Sequence, residues 1–140
     1  MLKYLELKTG YHDDGPAWIG YVLESKSRRS IYFNGKCYAK SKRSGGGGNY
    51  FDIETKEAYW ISGIKKSGSN RHWAGSGKIT IEASAVEEFL QITGRQNLDP
   101  LRFVVSHSIK PTDRAKFHEL ENRKVLVKEE QNGESPNQAL

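Results

Sequence analysis

The fold is decided at residues 30–39, which read SIYFNGKCYA. Two strand-like runs in this stretch flank the pair Asn34 and Gly35. A type I′ turn needs a positive φ at both central residues, and Asn followed by Gly meets that need best. The stretch therefore predicts a β-hairpin with a two-residue turn.

Short strand-like segments continue on both sides of this hairpin. They alternate polar and apolar residues or are rich in aromatic and β-branched side chains, and turn residues separate them. They are residues 3–8, 17–24, 50–53, 58–61 and 78–82. Seven short strands in all predict a mainly β fold, either a small antiparallel barrel or a strongly bent sheet. We expect it to be Src-homology-3-like or oligonucleotide-binding-fold-like.

A single helix is predicted after the last of these strands. Ser84 and Glu87 have the spacing of a capping box, in which each side chain bonds a free amide at the helix start. Apolar residues three and four apart follow on one face. Gly94 can adopt the left-handed conformation that ends a helix. We expect a helix over residues 84–93 that closes one end of the sheet.

Aromatic residues divide the chain into parts. All seven tyrosines and all three tryptophans lie within residues 1–73. We therefore expect a folded β-barrel body at residues 1–94, followed by a mixed α/β extension at 95–128. The polar residues 129–140 lack aromatic and β-branched side chains, which predicts a disordered tail. The extension holds candidates for a strand and a helix, at residues 101–108 and 112–122.

Composition excludes several classes of protein. The 140 residues suffice for one domain, or one small domain with an appendage. Cys37 is the only cysteine, which rules out an internal disulfide framework and a zinc site built on two thiolates. No run approaches the roughly 20 apolar residues that span a membrane, and the first residues do not resemble a signal peptide. We expect a cytoplasmic protein without a membrane partner, and no motif predicts a cofactor.

Positive charge is concentrated in two segments. The net charge is +5, but residues 24–48 carry seven lysines and arginines against Glu24 alone, a net of +6. Residues 64–83 carry four against one carboxylate, a net of +3. A basic surface attracts polyanions through its summed field and through counterion release.

The basic segments also contain aromatic residues. Strand alternation places Lys36, Tyr38 and Lys40 on one face, with Cys37 and Ala39 turned inward. Proteins that bind single-stranded nucleic acid combine cations for the phosphates with flat rings for the bases. We therefore predict a small basic binding module whose partner is single-stranded RNA or DNA, or an acidic protein. The predicted nucleic-acid-binding residues are Arg28, Arg29, Lys36, Tyr38, Lys40, Lys42, Arg43, Arg71 and Trp73.

Two alternative functions compete with nucleic-acid binding. A protein-interaction module, such as an inhibitor, immunity protein or adaptor, would use Trp60 or Trp73 as its anchor. A small hydrolase or nuclease would need acid–base or metal-binding side chains. The candidates for that chemistry are His12, Asp13, Asp14 and His72. Nothing in their spacing shows that they meet, so neither a metal site nor a reaction is predicted.

Four segments of the body resemble a group of small uncharacterised bacterial proteins. They are residues 31–36 (IYFNGK), 48–55 (GNYFDIET), 59–63 (YWISG) and 71–78 (RHWAGSGK). The resemblance covers residues 18–93. It implies that the body is a bacterial module and that the extension is particular to this protein. No activity or catalytic residue comes with it.

Overall fold

A nine-stranded sheet, curled into a half-barrel, is the main structural element of the described residues. The computed structural model describes residues 1–8, 15–42, 47–71 and 77–118. Its strands are β1 (Leu2–Leu7), β2 (Ala17–Tyr21), β3 (Leu23–Glu24), β4 (Ser30–Phe33), β5 (Lys36–Lys40), β6 (Tyr50–Asp52), β7 (Ala58–Ser62), β8 (Ile79–Glu82) and β9 (Phe103–Ser106). One helix, α1 (Val86–Thr93), and 3-10 turns at Ala83–Ala85 and Arg114–Phe117 complete the described elements. The predicted fold class, mainly β with a barrel-like sheet and one helix, is confirmed.

The central hairpin is formed by β4 and β5. Asn34 and Gly35 have φ values of 51° and 76°, as a type I′ turn requires. Phe33 pairs with Lys36 across the turn. The local sequence therefore sets both the turn and the register of this hairpin.

The strands follow the order β3-β4-β5-β6-β7-β1-β2-β8-β9. Six neighbouring pairs are antiparallel, but β2 with β8 and β8 with β9 are parallel. These two parallel pairs depart from the antiparallel pairing expected of a small barrel, while the other six agree with it. Parallel neighbours need a crossover connection, and α1 provides it between β8 and β9.

The curl of the sheet brings β2 close to β4. A Cβ atom at Gly20 would lie 2.5 Å from the Phe33 ring, so only glycine leaves room for this ring. The predicted strand 17–24 is interrupted at the buried residue Val22, which separates β2 from β3. The chain thus bends where two parts of the half-barrel approach each other.

Both faces of the sheet are covered over much of their area. One face, here called the aromatic face, carries a buried cluster that includes Phe33, Tyr38, Tyr50 and Tyr59. On the opposite face, Phe89 of α1 packs on β1, β2, β8 and β9, and Phe117 covers part of β4 and β5. A strand with two covered faces cannot show the simple alternation of buried and exposed residues.

The start of α1 differs from the prediction. No side-chain cap bonds the first turn, and the Ser84 hydroxyl donates instead to Glu82 Oε2 at 2.8 Å. A 3-10 turn over Ala83–Ala85 precedes the helix. The predicted capping box of Ser84 and Glu87 was therefore wrong. The predicted stop is confirmed, because Gly94 has a φ of 69°.

Residues 95–118 pack directly on the rest of the sheet. β9 extends it beside β8, within the predicted strand 101–108. The Lys110 amide donates to Asn34 Oδ1 at 3.1 Å, and Thr112 Oγ1 accepts from the Gly35 amide at 2.7 Å. This segment therefore links one edge of the sheet to the turn of the central hairpin. Only the first part of the predicted helix 112–122 is described, as the 3-10 turn ending at Phe117, and the predicted tail 129–140 lies outside the described residues.

Candidate nucleic-acid interface

A group of exposed cations lies where β4 begins and β5 ends. The Lys40 amide donates to the Arg29 carbonyl at 2.9 Å, which joins the turn before β4 to the end of β5. The backbone thereby brings together bases that are separate in sequence. We call this group the basic patch, and its members are Lys26, Arg28, Arg29, Lys40 and Lys42, all exposed.

The turn that carries half of the patch is held by its own backbone. Ser25 and Ser30 bond each other, through Ser25 N–H to the Ser30 carbonyl at 2.9 Å and Ser30 N–H to Ser25 Oγ at 3.1 Å. Arg28 occupies a left-handed conformation with a φ of 60°, and its amide donates to the Ser25 carbonyl. The turn is thus closed by serine and main-chain groups, which leaves the basic side chains in solvent.

Ion pairs between described residues involve several cations, but none of those in the basic patch. Within the described ranges, ion pairs hold Lys36 to Asp52 at 3.4 Å, Lys116 to Glu54 at 3.8 Å and Arg102 to Asp99 at 3.6 Å. None joins a patch residue to a described carboxylate. The charge of the patch is therefore available to a polyanion.

The structure does not place Tyr38 on the exposed surface. Its ring is 1% exposed and lies 4.7 Å from the ring of Tyr59 in the cluster of the aromatic face. Burial, with smaller contributions from Tyr59 and Asp52, raises the pKa of its hydroxyl. Strand alternation was read correctly, but the face predicted to meet solvent is covered. Tyr38 is a core residue and cannot stack on a base in this conformation.

The neighbours of Tyr38 complete this correction. Cys37 and Ala39 do point to the other face, where Phe117 covers them. Lys36 lies at the hairpin-turn end of β5, partly exposed and paired with Asp52, so it does not join the basic patch. Lys26, which the predicted site omitted, does join it. Its place in the +6 segment was the available signal.

Arg71 is the second predicted contact that lies in the interior. It is 1% exposed, its Nη2 donates to the Gly15 carbonyl, and its Nη1 is 3.7 Å from Glu6 Oε1. Nε and Nη1 make no hydrogen bond among the described residues. A side chain this deeply buried cannot bind a phosphate at the surface, so the prediction for Arg71 was wrong.

Arg71 belongs to a buried ionic cluster at the end of β1. Glu6 is buried, and it accepts hydrogen bonds from the Tyr4 hydroxyl and from Lys8 Nζ, the latter at 3.1 Å. Burial first, and the bond to Glu6 next, raise the pKa of Tyr4. The cluster ties β1 to Gly15 before β2 and to Arg71 after β7. Strand alternation was the available sequence signal for this cluster, because it places Glu6 on the same face as Leu2 and Tyr4, which are buried.

The remaining predicted site residues lie outside the described residues. They are His12, Asp13, Asp14, Arg43, His72 and Trp73. Among the residues that are described, no group of three histidine, cysteine or carboxylate side chains could hold a metal ion. No helix in the same ranges is long and apolar enough to span a membrane.

Trp60 is the most exposed aromatic side chain of the described residues. It lies on β7, opposite Glu6 of β1, and its side chain is 42% exposed. Its neighbours Tyr59 and Ile61 point to the aromatic face and are buried, so Trp60 is directed to the opposite face. This indole is available for contact with another molecule.

Comparisons with known proteins give no match from which a function could be transferred. No protein-family model, no curated protein and no solved structure matches this chain.

Proposed function

We propose that the protein binds nucleic acid through the phosphate backbone at the basic patch. The observation that carries this proposal is the set of five exposed cations, none paired with a described carboxylate. Lysine and arginine that neutralise phosphates release condensed counterions, which supplies most of the free energy of sequence-independent binding. The partner is therefore a nucleic acid that is recognised by the charge of its phosphates and not by its bases.

The mode of binding follows from what lies beside the patch. Tyr50, the residue opposite Lys40, is buried, and so are the aromatic residues of the central hairpin, Tyr32, Phe33 and Tyr38. No described aromatic side chain of this hairpin is thus presented for stacking. Phosphate contacts carry no sequence information, so we expect weak discrimination between base sequences and a steep dependence on salt.

Salt titration of oligonucleotide binding tests the proposal. For five phosphate contacts to a single strand, log affinity should fall by about 3.5 units per tenfold rise in salt. Replacing Lys40 and Lys42 together by alanine should lower this slope by about 1.4 units, because two contacts are lost. Fluorescence anisotropy of a labelled oligonucleotide at several salt concentrations measures both slopes.

A matched control is available on the segment after β7. Lys65 and Lys66 are likewise two exposed lysines close together in sequence, but they lie outside the basic patch. Their joint replacement by alanine should leave the slope close to that of the wild type. The proposal fails if the wild type does not bind at low salt, or if the control pair lowers the slope as much as Lys40 and Lys42 do.

Exposure of Trp60 favours a second candidate function, protein interaction. Large aromatic residues are frequent anchors of protein interfaces, where truncation costs about 2 kcal/mol or more of binding free energy. Trp60→Ala should then weaken binding of a protein partner about thirtyfold or more, while the melting temperature stays within about 4 °C of the wild type. Lys40→Ala with Lys42→Ala should leave that binding intact. Pull-down with the three proteins, followed by titration of the captured partner, separates this function from nucleic-acid binding.

A further inference from the structure

β9 forms one edge of the sheet. It pairs with β8 on one side, and no strand of the described residues lies beyond it. The opposite edge, β3, is only two residues long, whereas β9 has four. Of the two edges, β9 is therefore the better template for a further strand.

The backbone of β9 turns its free groups outward at Val105. Ile79 N–H donates to the Arg102 carbonyl at 2.8 Å, and in a parallel ladder alternate residues bond the same neighbour. Val104 and Ser106 therefore face β8, while the N–H and C=O of Val105 face away from it. The Phe103 amide also faces away, but it already donates to the Asp99 carbonyl at 3.0 Å. Val105 is thus the first residue of β9 whose N–H and C=O both face away from β8 and make no backbone hydrogen bond within the described ranges.

Side chains along this edge are apolar and exposed. Val104 is 46% exposed, Val105 44% and Leu101 80%. Edge strands are usually protected from further pairing by charged side chains or by proline. β9 contains neither. Two neighbouring exposed valines on an unprotected edge are typical of a surface that another strand covers.

We propose that a second copy of this chain pairs with β9 in antiparallel orientation about a two-fold axis at Val105. The two Val105 residues would exchange reciprocal N–H to C=O bonds, and their side chains would lie opposite each other. β-branched side chains suit a pleated, half-buried surface, and side chains directly opposite each other contribute to the stability of an antiparallel pair. With the axis at Val105 the central pair is complete, and only the flanking pair of Phe103 with His107 lacks a bond, because the Phe103 amide is occupied. With the axis one residue earlier, both hydrogen-bonded pairs within β9 join Phe103 to Val105 and lack that bond.

A second copy fits this edge better than a charged peptide. β9 itself carries no charge, so it offers nothing to select a basic or acidic segment. The basic patch is on β4, β5 and the turn before them, near the other end of the strand order. Pairing at β9 joins the two copies through their uncharged edges. This inference does not depend on the proposed nucleic-acid binding.

The interface would be small, so the dimer should be weak. Interfaces below about 1,200 Å² are usually transient, and a dissociation constant of about 10–100 µM is expected. Sedimentation velocity of the full chain over about 5–500 µM should show a rising average mass. Val105→Pro, which removes an amide that makes no bond to β8, and Val105→Lys, which adds a charge to the edge, should each shift the midpoint more than about tenfold upward.

Leu23→Lys serves as the matched control, because Leu23 is an exposed apolar residue on the other edge strand. It should associate as the wild type does, and circular dichroism should show that each variant is folded. If Val105→Pro does not fold, Val105→Lys decides alone. The proposal is overturned by a wild type that stays monomeric throughout, by folded Val105 variants that still associate normally, or by a Leu23→Lys protein that no longer associates.

Discussion

Arg71→Met should lower the free energy of unfolding by about 3 kcal/mol. The change leaves Glu6 buried with the Tyr4 hydroxyl and Lys8 as its remaining polar partners. Removing one partner of a buried ion pair typically costs about 3–5 kcal/mol, and the remaining contact with Lys8 places this site at the lower end. Chemical denaturation followed by circular dichroism measures the loss.

The double variant Glu6→Gln with Arg71→Met provides the control. It removes both charges, so it should be more stable than Arg71→Met alone, although it has lost one interaction more. Equal stability of the single and double variants would contradict the view that an uncompensated Glu6 causes the loss. Lys65→Met, at an exposed position, should change stability by less than about 0.5 kcal/mol.

Phe117→Ala should destabilise the protein by about 3–5 kcal/mol. The ring is fully buried and packs in one cluster with Tyr32, Cys37 and Ala39 of the central hairpin. Its loss leaves a cavity that the surrounding strands cannot fill. Thermal and chemical denaturation of the variant measure the effect.

The neighbouring residue offers a control for this second prediction. His118 is exposed, so His118→Ala should change stability by no more than about 0.5 kcal/mol. A Phe117→Ala protein as stable as the wild type would show that Phe117 does not pack on the central hairpin in solution. The expected loss would instead show that the body at 1–94 depends on the segment that follows it.

The two predictions concern the same property of this fold, which is that distant segments cover the sheet. Arg71 reaches Glu6 across 65 residues of sequence, and Phe117 reaches Cys37 across 80. Neither contact adds a group to the basic patch. A variant at either site therefore tests stability, whereas the lysine variants of β5 test binding.

The sequence by itself determined the local features of this protein. Asn34 and Gly35 adopt the positive φ values of their turn, and Gly94 ends α1 in a left-handed conformation. The strand-forming segments and the basic segment at 24–48 were also readable, because side-chain alternation and charge are local properties of the chain. The mainly β fold and the main cations of the patch follow from these signals.

Only the tertiary structure decided which of these residues meet solvent. Tyr38 alternates with Cys37 as predicted, yet both are buried. Tyr38 packs within the aromatic cluster on one face of the sheet, and Cys37 packs with Phe117 on the other. Arg71 lies in a basic segment, but its side chain is buried beside Glu6. The parallel pairing of β8 with β9 also depends on tertiary structure, because α1 must bring the chain back to the end of the sheet at which β8 begins. Alternation specifies which residues share a face of a strand, whereas burial depends on packing between segments that are far apart in sequence.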